Sequence, residues 1–288
     1  FKKILADVYT PVGIYLRLRD RFRDTILLES TDFHAGENSY SFIGIHAVAG
    51  IEISNPTAIE FKLPAQNTER IKLDRSADVP QLLWDFMHRF EIKEATAKPV
   101  HVAQGLFGYS AYDAVQFFED LNPSPSPEGE GGSIPLMRYR LYQYVIAIDH
   151  FKDELFICEN HFNGIESEIE LVESLIRSKD VPGFPFKSNG TERSNISDAA
   201  YIEMVKKGVA GCYRGDVFQV VLSRRFEQPF TGDEFNVYRA LRSINPSPYL
   251  FYFDYGDYKL MGSSPESQLI IERGNAVVHP IAGTFKRT

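Results

Sequence analysis

The sequence predicts an α+β fold: strand-rich, with antiparallel sheets packed together and helices on the outside. Three observations carry this reading. Short apolar runs, several of them alternating with polar residues, outnumber stretches with apolar residues at helical spacing. Most strands follow one another through turns of Gly, Asn, Asp and Pro, so they can pair with their sequence neighbours. The regular strand–helix alternation that a doubly wound parallel sheet requires is missing.

Taken in order, Ile26 to Leu28 is a short apolar run closed by Glu29 and Ser30. Ile59, Phe61 and Leu63 alternate with Glu60 and Lys62, a strand with one wet face entered through the Asn55-Pro56 turn. Asp78 can cap a helix with Pro80 in its first turn, and Val79, Leu82, Leu83, Phe86, Met87 and Phe90 then share one face. Trp84 lies within that helix and is read as core or shoulder. Residues Asn122 to Ser133 are Pro, Ser and Gly with two glutamates, a solvated loop. Leu141 to Ile148 and Glu154 to Glu159 form a hairpin through His150-Phe151-Lys152-Asp153, followed by a helix striped by Ile165, Ile169, Val172, Leu175 and Ile176.

Lys179 to Ser197, with Pro182, Gly183, Pro185 and Gly190, is the best domain boundary, dividing the chain into 1–190 and 191–288. Asp198 opens a helix with Tyr201, Met204, Val205, Val209 and Cys212 on its face, and Gly215 stands where a left-handed cap is needed. Val217 to Phe226 reads as a buried strand whose one interior polar residue is Gln219. A short helix around Val237, Leu241 and Ile244 follows, then strands at Tyr249–Phe253, Tyr258–Gly262, Gln268–Glu272 and Ala276–His279, joined by Gly-containing turns at 255–257 and 273–275.

Apolar residues make up 43% of the 288 and charged residues 24%, an ordinary globular balance. The net charge of −8 argues against a nucleic-acid or anionic-membrane partner. No apolar stretch is long enough to span a bilayer, and Asp7 interrupts the start before a signal-peptide core can build. With only Cys158 and Cys212, a reducing cytoplasm is expected. There is no Walker loop, no GxGxxG after a strand and no His-x-x-x-His pair, and the seven histidines are scattered.

Four segments stand out: Leu27-Leu28-Glu29-Ser30, Gly215 to Ser223, Asn245-Pro246-Ser247-Pro248-Tyr249 and Pro280-Ile281-Ala282-Gly283-Thr284. In the last, a strand ends in a glycine whose missing Cβ exposes backbone N–H groups, and Thr284 adds a hydroxyl, so the pair can hold a carboxylate. On its own the segment reads first as a plain strand-end turn, because such turns are common. The segment from Asn245 is a stiff bend, with two prolines fixing φ before Tyr249 and Leu250 enter a strand. Such a bend beside an aromatic can form a slot for a flat ring. Glu29 can accept from an ammonium and Ser30 can bond a carboxylate, although Leu27 to Ser30 is by itself an ordinary core strand.

In this order and spacing, with Tyr40 to Gly44, Gly105 to Tyr109 and Ser263 to Glu266 between them, the segments resemble anthranilate synthase component I of the chorismate-utilising enzymes. The resemblance implies that Gly283 and Thr284 contact chorismate, and it assigns no catalytic residue within the chain. It implies an effector site for tryptophan at Ser30, Pro248, Tyr249 and Leu250, with Glu29, Asn245 and Pro246 beside them. The implied reaction aminates chorismate and eliminates pyruvate, giving anthranilate. Magnesium is implied, with its ligands expected beyond Thr288 in a chain cut short of its catalytic end. Ammonia comes from a glutamine amidotransferase subunit, component II, in a hetero-oligomer. Ala282 stands where aminodeoxychorismate synthase component I usually carries a lysine, which weighs against that relative; a non-catalytic tryptophan sensor is the other alternative. Ser39, Arg224 and Leu250 depart from the residues frequent at their positions.

Overall fold

The structure, a computed structural model, describes residues 1–30, 39–73, 78–119 and 134–280. The expected loop over 122–133 lies outside the described residues, as do Ala282, Gly283 and Thr284. In chain order the elements are β1 (Lys2–Leu5), α1 (Pro11–Leu18), β2 (Thr25–Glu29), β3 (Tyr40–Asn55), β4 (Ala58–Lys62), β5 (Glu69–Lys72), α2 (Val79–Met87), α3 (Lys98–Val102), β6 (Phe107–Ser110) and a 3-10 turn at Tyr112–Phe117. Then come β7 (Met137–Asp149), β8 (Glu154–Glu159), α4 (Ile169–Arg177), β9 (Phe186–Ser188), β10 (Arg193–Ser194), α5 (Asp198–Arg214), β11 (Phe226–Glu227) and β12 (Phe230–Gly232). The last are α6 (Phe235–Ile244), β13 (Tyr249–Asp254), β14 (Lys259–Ser264), β15 (Ile270–Glu272) and β16 (Asn275–Val277). No helix among the described residues is long and apolar enough to cross a membrane.

Two compact units form: Phe1–Pro182 with Asn245–Ser264, and Gly183–Ile244 with the residues from Pro265 onward. This differs from a single cut between 190 and 191. The reason is pairing: β13 finds its ladder partner in β2, more than two hundred positions earlier, so the β13–β14 hairpin joins the first unit.

The first unit is built on a ten-stranded antiparallel sheet ordered β1-β8-β7-β3-β2-β13-β14, with β4 and β5 extending from β3 and β6 from β7. The two long strands explain the branching. β3 pairs with β2 over Ile26–Leu28 and with β4 further along, while β7 takes β8 at one end and β6 at the other. Between the halves the β3–β7 register shifts at Ala47/Ala49, and His46 sits at φ 59 with Nδ1 2.6 Å from Gln143 Oε1. Such a bulge bends the strand, so its two halves can serve separate cores. One core gathers Ile51, Ile53, Phe61 and Met137 under Val79 and Phe86 of α2; the other gathers Ile26, Tyr142, Val145, Phe156 and Phe253. Each such fully buried side chain contributes about 1.5–3 kcal/mol.

Several expectations hold in detail. Asp78 caps α2 by accepting from the Gln81 N–H at 3.0 Å, and the 141–159 hairpin and the pair from Tyr249 to Ser264 are present. Ser197 caps α5 and Gly215 closes it at φ 81, where an L side chain would be strained. Trp84, read as core or shoulder, is 56% exposed with its ring 4.3 Å from that of His88 at a tilted angle, because it falls on the opposite face of α2 from Phe86. Ile165 lies before α4 rather than in its stripe.

In the second unit, β9 pairs with β12, β10 with β11 and β15 with β16. The expected strand Val217 to Phe226 is irregular except for Phe226, and Gln219 is exposed rather than interior. No ladder partner for it exists among the described residues, and a strand without one leaves its N–H and C=O groups to solvent. Val220 and Leu222 instead lie against Gly208 of α5, and the expected apolar face of that helix stays largely exposed, with Val209 at 49%.

Candidate functional site

β13 lies antiparallel against β2 with Leu250 opposite Glu29 and Phe251 opposite Leu28. Two segments far apart in sequence thus become direct cross-strand neighbours, about 5 Å apart at Cα. Both Glu29 and Leu250 are buried, at 4% and 1% exposure. The bend before β13 is tied to β14 by the Ser263 hydroxyl, which donates to the Asn245 carbonyl at 2.6 Å.

These strand ends form one side of a cavity of about 930 Å³, within the usual range for small-molecule sites. Leu28, Glu29 and Ser30 line it from β2, and Pro248 to Phe251 with Phe253 from β13. Leu260 and Met261 of β14 complete that side. The rest of the wall comes from Tyr40 and Phe42 of β3, Tyr139 of β7, Phe107 to Tyr109 of β6, and Lys98, Val102 and Leu106 in and after α3. The lining is aromatic and aliphatic, and among the described residues Glu29 and Lys98 are the charged ones. Such a space suits a flat apolar ring carrying a small polar head.

Two glycines make this packing sterically feasible. A Cβ on Gly108 would lie 2.0 Å from the Arg138 carbonyl oxygen and 2.6 Å from Tyr139 Cα, so only glycine lets β6 approach β7 this closely. A Cβ on Gly262 would meet the Phe251 ring at 2.4 Å; its absence leaves room for that ring to lie across β14.

Tyr109 joins the cavity wall to a buried polar cluster. Its hydroxyl donates to the Pro135 carbonyl at 3.0 Å and lies 2.7 Å from the Tyr258 hydroxyl. Burial, followed by the neighbouring Tyr258, pushes the Tyr109 phenol far above its ordinary range, so it stays neutral. The Arg138 guanidinium sits 4.4 Å from the Tyr255 ring centroid and pairs with Glu52 at 3.2 Å and Asp24 at 3.4 Å. Arg140 shares Glu52 at 2.9 Å. Burial opposes ionisation of Glu52, but the Arg140 hydrogen bond and the Arg138 charge outweigh it and hold its carboxyl below the ordinary range. Burial pushes the Cys158 thiol up to about 11, consistent with a packed, unreactive side chain.

Of the residues singled out from sequence, Glu29, Ser30, Pro248, Tyr249 and Leu250 meet at this cavity; Asn245 and Pro246 are exposed and do not line it. Gly283 and Thr284 lie outside the described residues. Sequence reasoning gave no role to Tyr40, Phe42 or Phe107 to Tyr109, although both stretches carried part of the resemblance. Lys98 had no signal at all. Among the described residues no group of three or more His, Cys, Asp or Glu is arranged to hold a metal ion.

Against known proteins, the chain is 33% identical over 299 residues to anthranilate synthase component 1 of Thermus thermophilus, covering 99% of this chain and 60% of that one. It is 33% identical over 318 residues to the protein of the same name from Aquifex aeolicus, covering 100% and 59%. The crystal structure of anthranilate synthase component I from Streptococcus pneumoniae TIGR4 has the same fold, with a TM-score of 0.60 at 24% identity over 96% of this chain and 60% of that one. The chain therefore spans about 60% of the length of these relatives. Residues 51–288 match the chorismate binding enzyme family, taking in β13, β14 and most of the sheet that backs the cavity. The chain belongs to the chorismate binding enzyme family.

Proposed function

We propose that the chain is part of an anthranilate synthase component I, which converts chorismate and ammonia to anthranilate and pyruvate, and that tryptophan inhibits it by binding the cavity lined by the paired ends of β2 and β13. The observation that carries the reading is the convergence of Glu29, Ser30, Pro248, Tyr249 and Leu250 on one apolar cavity. Its aromatic walls fit an indole, and buried Glu29 suits an ammonium. Chorismate contacts are assigned to Gly283 and Thr284. Magnesium acts as Lewis acid when bound, and a glutamine amidotransferase subunit supplies the ammonia in a cytoplasmic hetero-oligomer.

The test is Ser30→Leu in the complete enzyme that carries these residues, assayed with ammonia, chorismate and magnesium. A leucine would fill the slot and remove a hydroxyl, so tryptophan inhibition weakens while the uninhibited rate is unchanged. Coupling between effector and substrate typically amounts to about 5- to 150-fold in affinity and is reciprocal, so chorismate must also weaken tryptophan binding. Inhibition of original strength in the variant would overturn the effector site; no anthranilate from the complete enzyme would overturn the activity.

A further inference from the structure

We propose that Gly262 sets the ring size this cavity accepts. With no Cβ there, the Phe251 ring stays laid over β14, and the cavity floor is long enough for a fused two-ring aromatic amino acid rather than a single ring. The inference rests on the effector reading above and specifies how the ring of the ligand is selected.

Register places four residues in one row across the sheet. Phe42 of β3 pairs with Leu28 of β2, Leu28 with Phe251 of β13, and Phe251 with Gly262 of β14. Cross-strand partners project to one face, and Phe42, Leu28 and Phe251 all line the cavity. Neighbouring strands lie about 4.8 Å apart, so side chains on three of them span about 10 Å, enough to floor a fused two-ring system, whereas two strands suffice for one ring. The row is level only while Phe251 is turned over β14. A Cβ on Gly262 would meet Cζ, Cε1 and Cε2 of that ring at 2.4, 2.6 and 3.2 Å, and these are its three nearest atoms. Ordinary carbon contact needs about 3.5 Å, so the ring would retreat by about 1 Å. Retreat along β13 towards the hairpin turn is blocked by the Phe253 ring, 5.8 Å away, which is buried and stacked on Tyr255. The open directions lead towards Leu28 and Tyr249, both of which line the cavity. The displaced ring then forms a step in the floor. One ring still fits over Phe42 and Leu28, while the second ring of a bicyclic ligand is lifted out of contact. The backbone itself does not demand glycine here, since Gly262 lies in a regular ladder and is not among the residues with positive φ.

The experiment titrates the purified chain and its variants with L-tryptophan and with L-phenylalanine by calorimetry. The wild type binds tryptophan more tightly than phenylalanine, by about tenfold or more. Gly262→Ala weakens tryptophan by about tenfold and leaves phenylalanine within about twofold, so the preference collapses. Combining Gly262→Ala with Phe251→Leu removes the ring that the methyl displaces, and the double variant binds tryptophan within about threefold of Phe251→Leu alone. If Gly262→Ala weakens both ligands equally, changes neither, or stays as damaging in the Phe251→Leu background, the assignment of Gly262 is overturned and the cavity reading stands. If Gly262→Ala does not fold, the double variant must still fold as Phe251→Leu does, because the clash is with that ring; a double variant that also fails to fold overturns the assignment. If the wild type binds neither ligand, the cavity reading falls and the Gly262 assignment with it.

Discussion

Replacing Gly108 by alanine tests the construction of the cavity, first through stability and then through ligand binding. The added methyl would sit 2.0 Å from the Arg138 carbonyl oxygen and 2.6 Å from Tyr139 Cα, both backbone atoms that no rotamer change can move. β6 must therefore separate from β7, with which it pairs from Phe107–Arg140 to Ser110–Met137. Losing two ladder hydrogen bonds costs about 2 kcal/mol, and forced overpacking adds about 1 kcal/mol or more. A total of about 3 kcal/mol corresponds to a fall in melting temperature of about 6–12 °C for a unit of this size. Phe107 and Tyr109 would be displaced with the strand, so affinity for tryptophan, the effector proposed above, should fall by about tenfold or more in the same variant. Differential scanning calorimetry and ligand titration on the wild type and Gly108→Ala read both effects. A melting temperature within about 2 °C of wild type, with unchanged binding, would refute the close approach of β6 to β7.

Other tests address the buried polar groups. Tyr142 is fully buried and its hydroxyl meets no hydrogen-bond partner among the described residues, so Tyr142→Phe should change stability by less than about 1 kcal/mol in a denaturant titration. A loss of several kcal/mol would mean that the hydroxyl is bonded. Glu52 is held below its ordinary value of 4.5, so its stabilising effect is complete above that pH and is lost as pH falls through the lower native value. Glu52→Gln should be less stable than wild type at neutral pH, since it breaks a shared pair with Arg138 and Arg140, yet lose less stability between about pH 5 and pH 3. Equal acid sensitivity in the two proteins, followed by circular dichroism, would remove Glu52 from the account.

What was legible in the sequence was whatever short-range chemistry dictates. Asp78 and Gly215 act at helix ends through their own backbone neighbourhood, and the turns at 150–153 and 255–257 bring adjacent strands together because little chain must be closed. The conjunction of Glu29, Ser30, Pro248, Tyr249 and Leu250 was also anticipated, but through resemblance and not through periodicity. Only the tertiary structure decided the rest. The pairing of β13 with β2 depends on hydrogen bonds between segments with no local signal for each other, and it is this pairing that puts Leu250 against Glu29 and moves the hairpin into the first unit. Val217 to Phe226 had the composition of a buried strand, yet composition supplies no partner for its N–H and C=O groups. Gly108 and Lys98 show the same division between local and distant causes. The sequence marks one as a glycine and the other as a surface lysine, and the meaning of each comes from what the fold sets beside it: a carbonyl 2.0 Å from a Cβ that glycine lacks, and the rim of an apolar cavity.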